Sequence, residues 1–309
     1  MIKAPLHDLL GVPQGGSARY VPTADGTNIR VAYWQGGERG TVLLFPGRTE
    51  YIEKYGRMVA KLQARGLNVV VLDWRGQGLS DRPDNRTDRG HVDHFHDYQQ
   101  DVSAALSIPE IAELAGPRLL FGHSMGGCIG LRTLVDGLGL EAAVFSSPMW
   151  GLPGQKAAKH LLAVVNILGR PFGQHKNLVP GTKPGFYVSN FGFEGNELTN
   201  DSDHYAMFQQ HIAALPDLGL GGPTIHWAVE ALREMDALFV ADAPDVPVLT
   251  FLGTEENVVS AETIEKRVPR LPNGQLQVID GGKHEIWMET PKIQSDVWDI
   301  TDQFLDKIL

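Results

Sequence analysis

Ser124 stands in Gly122-His123-Ser124-Met125-Gly126-Gly127, directly after an apolar run at residues 118–121 and before a helix-like stretch that reaches Val135. A serine between glycines at a turn from strand to helix has the pattern of a nucleophile elbow. There the serine backbone is strained, and a side chain at Gly122 or Gly126 would collide with the neighbouring strand or helix. The hydroxyl is presented at a helix N-terminus, where N–H groups and the helix dipole favour developing negative charge. The Met125 amide is therefore expected to form half of an oxyanion hole. A neutral hydroxyl is a poor nucleophile, so a histidine has to take its proton and a carboxylate has to hold that histidine in the right tautomer.

Eleven histidines compete for the role of base. His284, in Gly281-Gly282-Lys283-His284-Glu285, follows an apolar run at residues 276–279 and comes last in the chain order serine, acid, histidine. It is the expected base. For the acid, Gly253-Thr254-Glu255-Glu256-Asn257-Val258-Val259 follows the run 246–252 and offers two adjacent carboxylates. Glu256 is the preferred acid, with Glu255 as the alternative. The run 142–145 is followed by Ser146-Ser147-Pro148, which supplies no carboxylate. After the run 41–45, the tight turn of Pro46-Gly47-Arg48-Thr49-Glu50 would aim the Arg48 amide at the elbow as the second oxyanion donor.

Each of these positions lies just beyond an apolar run, which is where a sheet edge would gather them. Residues 26–35 alternate around Ile29, Val31 and Tyr33, and after Gly36-Gly37 comes the run 41–45, a strand, turn and strand. A helix-like stretch, 50–65, is closed by Gly66, and the unbroken apolar run 69–72 suits a parallel strand covered on both faces. A helix from near Asp97, the strand at 118–121, the helix after Ser124, strands at 142–145, 246–252 and 276–279, and a last helix over 290–309 complete the alternation. The expected class is α/β, with a mostly parallel central sheet flanked by helices. Between 148 and 243 the pattern breaks into helical pieces separated by Gly151-Leu152-Pro153-Gly154 and Gly221-Gly222-Pro223. This reads as a helical cap, residues 148–243, inserted into a core of residues 1–147 and 244–309. Within it, Phe186, Tyr187, Phe191 and Phe193 either line an acyl pocket or hold the cap to the core.

The composition is that of an ordinary globular chain: 309 residues, 42% hydrophobic and 21% charged. The formal net charge of -10 is spread without a basic block, so no footprint for nucleic acid is visible. One cysteine, Cys128, excludes an intramolecular disulfide and multi-cysteine zinc sites, fits a reducing compartment, and reads as a packing residue. No segment approaches the ~20 apolar residues of a membrane span, and the first twenty residues carry no signal-peptide pattern. A soluble cytoplasmic protein is expected, with peripheral membrane contact through the cap. His91-Val92-Asp93-His94-Phe95-His96-Asp97 is rich in metal-ligand types. Catalytic zinc needs three ligands converging from fixed positions, so this is read as a polar loop leading into a helix capped by Asp97. Neither a metal nor a cofactor is expected.

Together these residues resemble the monoacylglycerol lipase and bacterial lysophospholipase branch of the α/β-hydrolases, over most of the chain. Asp73-Trp74-Arg75-Gly76-Gln77-Gly78-Leu79-Ser80 is similar to that branch's D-x-R-G-x-G-x-S loop, in which the aspartate is structural. Leu220-Gly221-Gly222-Pro223-Thr224-Ile225-His226-Trp227 is similar to a cap segment of the bacterial lysophospholipases, which also favour Pro-Gly-Arg at the oxyanion strand. The resemblance implies an α/β-hydrolase fold and hydrolysis of a carboxylic ester on a lipid with one acyl chain, through an acyl-enzyme. Serine at the elbow sets the chain apart from haloalkane dehalogenases and epoxide hydrolases, which carry aspartate there. Two alternatives use the same residues: acyl transfer to an alcohol, and a ligand receptor of hydrolase fold with slow turnover.

Overall fold

The computed structural model describes residues 1–82, 85–114 and 116–309. The runs named above become strands β3 (Asn28–Trp34), β4 (Gly40–Phe45), β5 (Leu67–Asp73), β6 (Arg118–His123), β7 (Ala142–Ser146), β8 (Val248–Gly253) and β9 (Gly274–Ile279), and two further strands, β1 (Ile2–Lys3) and β2 (Ser17–Pro22), precede them. They form one sheet in the order β1-β2-β3-β5-β4-β6-β7-β8-β9. The pairings from β5 through β9 are parallel, and the three at the other edge are antiparallel.

The edge departs from the sequence reading. β3 and β4 are consecutive in the chain but do not pair, because β5 lies between them. Gly37 lets the chain cross β5: a Cβ there would lie 2.4 Å from the Asn68 amide nitrogen. The hairpin partner of β3 is β2, a strand the sequence did not announce because its residues are mostly half-buried instead of alternating cleanly.

The helices are α1 (Gly56–Gln63), α2 (Tyr98–Leu106), α3 (Pro109–Ala112), α4 (Met125–Val135), α5 (Gln155–Gly169), α6 (Tyr187–Asn190), α7 (Ser202–Ala214), α8 (Ile225–Val240), α9 (Ala261–Arg267) and α10 (Pro291–Leu305). The stretch expected as one helix over 50–65 starts as a 3-10 turn at Ile52–Tyr55 before α1. Asp97 does not cap α2 with its side chain; it closes the preceding turn by accepting the His94 N–H at 3.2 Å.

Strand side chains divide with period two between the faces of the sheet. Leu43, Val70, Leu120 and Phe145 pack with residues of α2, α4 and α8. Val42, Leu44, Val69, Val71 and Phe121 pack with residues of α1 and α10. Both faces are covered, which is why these strands read as unbroken apolar runs, and each such side chain contributes about 1.5–3 kcal/mol by leaving water. Helices α5 to α8 lie between β7 and β8 in the chain. They are tied to the loop after β5 by Gly90 N–H to the Gly222 carbonyl at 2.8 Å and Thr224 N–H to the Gly90 carbonyl at 2.9 Å.

Asp73, at the end of β5, is a structural anchor. Its buried carboxylate accepts from Arg30 Nε at 2.7 Å and from the Ile52 and Leu79 amides at 2.8 Å. A Cβ on Gly78 would lie 2.2 Å from that carboxylate, so the loop requires glycine there.

Candidate active site

Ser124 has φ +50° and ψ −117°, a strained conformation for a residue with a side chain. Its flanking glycines have a steric cause. A Cβ on Gly126 would lie 2.0 Å from the Phe45 carbonyl oxygen of β4, and one on Gly122 would lie 2.9 Å from the Gly126 carbonyl oxygen. The Met125 amide at the start of α4 and the Arg48 amide after β4 have no acceptor among the described residues. The neighbouring Gly47 amide is engaged, donating to Glu50 Oε2. Arg48 and Met125 thus each bring a free donor to the two turns that meet at the elbow.

Glu256 and His284, from the loops after β8 and β9, are joined by a 2.8 Å hydrogen bond between Oε2 and Nδ1. A carboxylate accepts, so Nδ1 carries the proton and Nε2 is left free to accept another. The second oxygen of Glu256 accepts the Val258 and Val259 amides at 2.6 and 3.0 Å. Burial alone would raise the Glu256 pKa, but His284 and the Val259 amide hold it down at about 2. Glu255 points instead to the exposed surface, 3.4 Å from Asn200 Nδ2. Ser124 and His284 line one cavity of about 360 Å³. No hydrogen bond joins Ser124 Oγ to His284 among the described residues, and such bonds often tighten only in the reacting complex. A larger hollow of about 610 Å³, between Leu152, Met235 and Lys266, includes neither residue.

On one wall of the cavity lies a charged cluster that sequence reasoning missed. Lys54 Nζ donates to Glu50 and, at 2.5 Å, to Glu285. His123 Nδ1 donates to the Ser146 carbonyl at 3.1 Å, while Nε2 faces Glu285 at 3.5 Å and Glu50 at 3.7 Å. Glu50 also accepts from the Tyr55 hydroxyl at 2.5 Å. Burial disfavours the charges of Lys54 and His123, but Glu285 and Glu50 more than offset it and hold both groups above their usual pKa values. Glu285 is correspondingly held well below the usual carboxylate range: burial would raise it, and Lys54 and His123 prevail. Donor atoms of Glu50, His123 and Glu285 lie within 4.8 Å of one another, close enough to hold a metal ion. The Lys54 ammonium already bridges the two carboxylates. The cluster joins the turn after β4, the end of β6 and the loop after β9, and the His123 and His284 ring centres are 4.8 Å apart. The only local signal for it was the Glu50/Lys54 spacing of four residues.

The histidine-rich loop is spent on joining the segment before α2 to the start of α8. His91 Nδ1 meets Thr224 Oγ1 at 2.9 Å, and His226 Nε2 donates to the Asp93 carbonyl at 2.8 Å, while His94 and His96 are exposed. Of the four aromatics singled out between β7 and β8, Phe186 and Tyr187 line the cavity. Phe191 stacks on Tyr187 at 4.7 Å, and Phe193 packs edge-on against Tyr205 at 5.7 Å. Cys128 is fully buried, and burial pushes its thiol well above the usual range.

Known proteins agree with this architecture. Lysophospholipase L2 of Escherichia coli is 28% identical over 271 residues, spanning 82% of this chain and 76% of the relative. A monoacylglycerol lipase of Mycolicibacterium smegmatis is 33% identical over 267 residues, spanning 81% of this chain and 83% of the relative. The fold matches that of a monoglyceride lipase from Saccharomyces cerevisiae with a TM-score of 0.69 at 23% identity, covering 94% of this chain and 96% of that one. The sequence profile of the Hydrolase_4 family, described as serine aminopeptidase, S33, matches residues 36–291. The chain belongs to the Hydrolase_4 (serine aminopeptidase, S33) family and has the α/β-hydrolase fold.

Proposed function

We propose that this chain hydrolyses the carboxylic ester of a lipid with a single acyl chain, through an acyl-enzyme on Ser124. His284 Nε2 takes the Ser124 proton as Oγ attacks the ester carbonyl, and Glu256 stabilises the imidazolium that forms. The Arg48 and Met125 amides receive the negative charge of the tetrahedral intermediate. Collapse breaks the ester bond, and His284 returns the proton to the departing alcohol. Water, activated by the same ring, then releases the fatty acid.

The observation that carries this reading is the cavity shared by Ser124 and His284, walled by Met149, Leu152, Phe186, Val188, Leu198 and Phe208. Its buried carboxylates, Glu50 and Glu285, are already bonded to Lys54. That favours an acyl chain over the charged N-terminus of a peptide. The names of the lysophospholipase and monoacylglycerol lipase relatives support the same reading. In it, residues 148–243 act as a cap that walls the chain from water.

The reading also places the protein in the cytoplasm, in peripheral contact with a membrane. Its one cysteine is a free thiol, and α5 and the turn after it leave Leu161, Val164, Ile167, Leu168 and Phe172 exposed. No helix among the described residues is long and apolar enough to cross a membrane.

The test is a series of esters from acetate to laurate, each kept below its micelle-forming concentration. Each added methylene buries about 0.8 kcal/mol of apolar surface, so kcat/KM should rise about fourfold per methylene until the pocket fills. At roughly 30 Å³ per water-sized group, a cavity of about 360 Å³ takes about a dozen non-hydrogen atoms. The optimum is expected at medium or long chains. A decline beginning at propionate contradicts a lipid substrate and leaves the Ser124 chemistry standing.

A further inference from the structure

Arg48 contributes a backbone amide to the proposed oxyanion hole, yet its side chain has no use in that chemistry. The guanidinium lies over the Trp227 ring, 5.0 Å from its centre, and Nη2 donates to the Gly221 carbonyl at 2.7 Å. Its Nε is buried with no hydrogen-bond partner. Gly90 makes room for it, since a Cβ there would lie 2.5 Å from Arg48 Nη2. Among the described residues no carboxylate pairs with it. Buried cations are nearly always paired, because leaving water without a counter-charge is costly. Burial pulls this guanidinium down to about 10, with no acid to hold it up, and it remains a cation at neutral pH.

The cation stands between two chambers. One is the apolar cavity that holds Ser124; the other, of about 310 Å³, is lined by Thr182, Lys183 and Asn190 and shares Arg48, Thr49, Tyr187 and Pro223 with the first. Among the described residues no Asp or Glu lines the second chamber. Lys183, exposed on its wall, adds a second cation, 5.1 Å from the Phe191 ring centre. A glycerol backbone bearing an acyl ester at one end and a phosphate at the other has the matching order of groups: apolar chain, ester, anion. A monoacylglycerol offers no anion and leaves Arg48 unpaired.

We propose that Arg48, assisted by Lys183, forms a phosphate subsite that makes a lysophospholipid a better substrate for Ser124 than the neutral monoacylglycerol with the same acyl chain. This rests on the ester-hydrolase reading and adds the head group to it. A guanidinium binds phosphate oxygens through charge-assisted, bidentate hydrogen bonds.

The test compares kcat/KM for 1-decanoyl-lysophosphatidylcholine and 1-decanoylglycerol, both below their micelle-forming concentrations, in the native protein, Arg48→Gln, Arg48→Lys and Lys183→Gln. Hydrogen bonds to a charged group correspond to about a 10- to 100-fold effect. The native protein should prefer the phospholipid by at least about that lower factor. Arg48→Gln should erase the preference and Arg48→Lys should restore part of it. Lys183→Gln should reduce it by a smaller factor. An equal fall for both substrates in Arg48→Gln, or a native preference for the neutral lipid, overturns the proposal. If Arg48→Gln does not fold, the native protein still decides. Glycerol 3-phosphate should competitively inhibit hydrolysis of a neutral p-nitrophenyl ester where glycerol does not. No inhibition by glycerol 3-phosphate overturns the subsite, and equal inhibition by inorganic phosphate reduces it to a site for free anions. Absence of turnover on every ester would instead condemn the ester-hydrolase reading, a result distinct from lost discrimination.

Discussion

Lys54→Met removes the ammonium that stands between Glu50 and Glu285 and keeps most of the side-chain stem that packs near Phe208. Two buried carboxylates then share only His123 as a cationic partner. Breaking one member out of a buried ion network costs about 3–5 kcal/mol. At about 2.1 cal/mol/K per residue for the entropy of unfolding, a chain of 309 residues should lose roughly 5–8 °C in Tm. The pH dependence has a definite sign. In the native protein Glu285 is held well below its ordinary value of 4.5, so its contribution is complete above that pH and is lost as the pH falls. In Lys54→Met the pair should bind a proton more tightly folded than unfolded. Its stability is then retained at low pH and lost as the pH rises. The deficit against the native protein should therefore be largest above neutral pH and shrink towards about pH 5. Glu50 also holds the Gly47 amide, so the Arg48 amide should lose its aim and kcat should fall. Thermal unfolding at pH 5, 7 and 8.5, with kcat measured alongside, checks each part. A Tm shift under about 1 °C, or a deficit independent of pH, would refute the reasoning.

Glu256→Gln should lower kcat on the order of 10³- to 10⁴-fold, because an amide cannot stabilise the His284 imidazolium and favours the wrong tautomer. Glu255→Gln should stay within about threefold, since an exposed carboxylate contributes little; reversed effects in ester turnover would move the acid by one residue. Gly126→Ala places a Cβ 2.0 Å from the Phe45 carbonyl oxygen, so it should destabilise by more than about 3 kcal/mol, read as a lowered Tm together with lost turnover.

The parallel strands were legible because burial on both faces makes them continuous apolar runs, and the elbow because Gly122 and Gly126 leave no space for a Cβ. The choice between Glu255 and Glu256 was not settled by spacing alone. What separates them is the pair of Val258 and Val259 amides, which fix Glu256 facing His284. β2 escaped notice because Arg19 and Tyr20 are half-buried consecutive residues, and the strand borrows its order from β3. The charged cluster was illegible for a different reason: Lys54 and Glu285 are 231 residues apart in the chain. Only the fold brings Glu50, Lys54, His123 and Glu285 together. The same holds for Arg48, whose backbone role was readable from its turn and whose unpaired guanidinium appears only once Gly90, Gly221 and Trp227 surround it.

The most direct measurement is reaction of the native protein and Ser124→Ala with a fluorophosphonate probe, followed by peptide mapping and ester turnover on the same samples. Ser124 should be the one labelled residue. Ser124→Ala should take up no probe and lose at least about 10⁴-fold in turnover while unfolding at the native temperature. Labelling at another residue, or near-native turnover by a folded Ser124→Ala protein, would contradict an acyl-enzyme on Ser124.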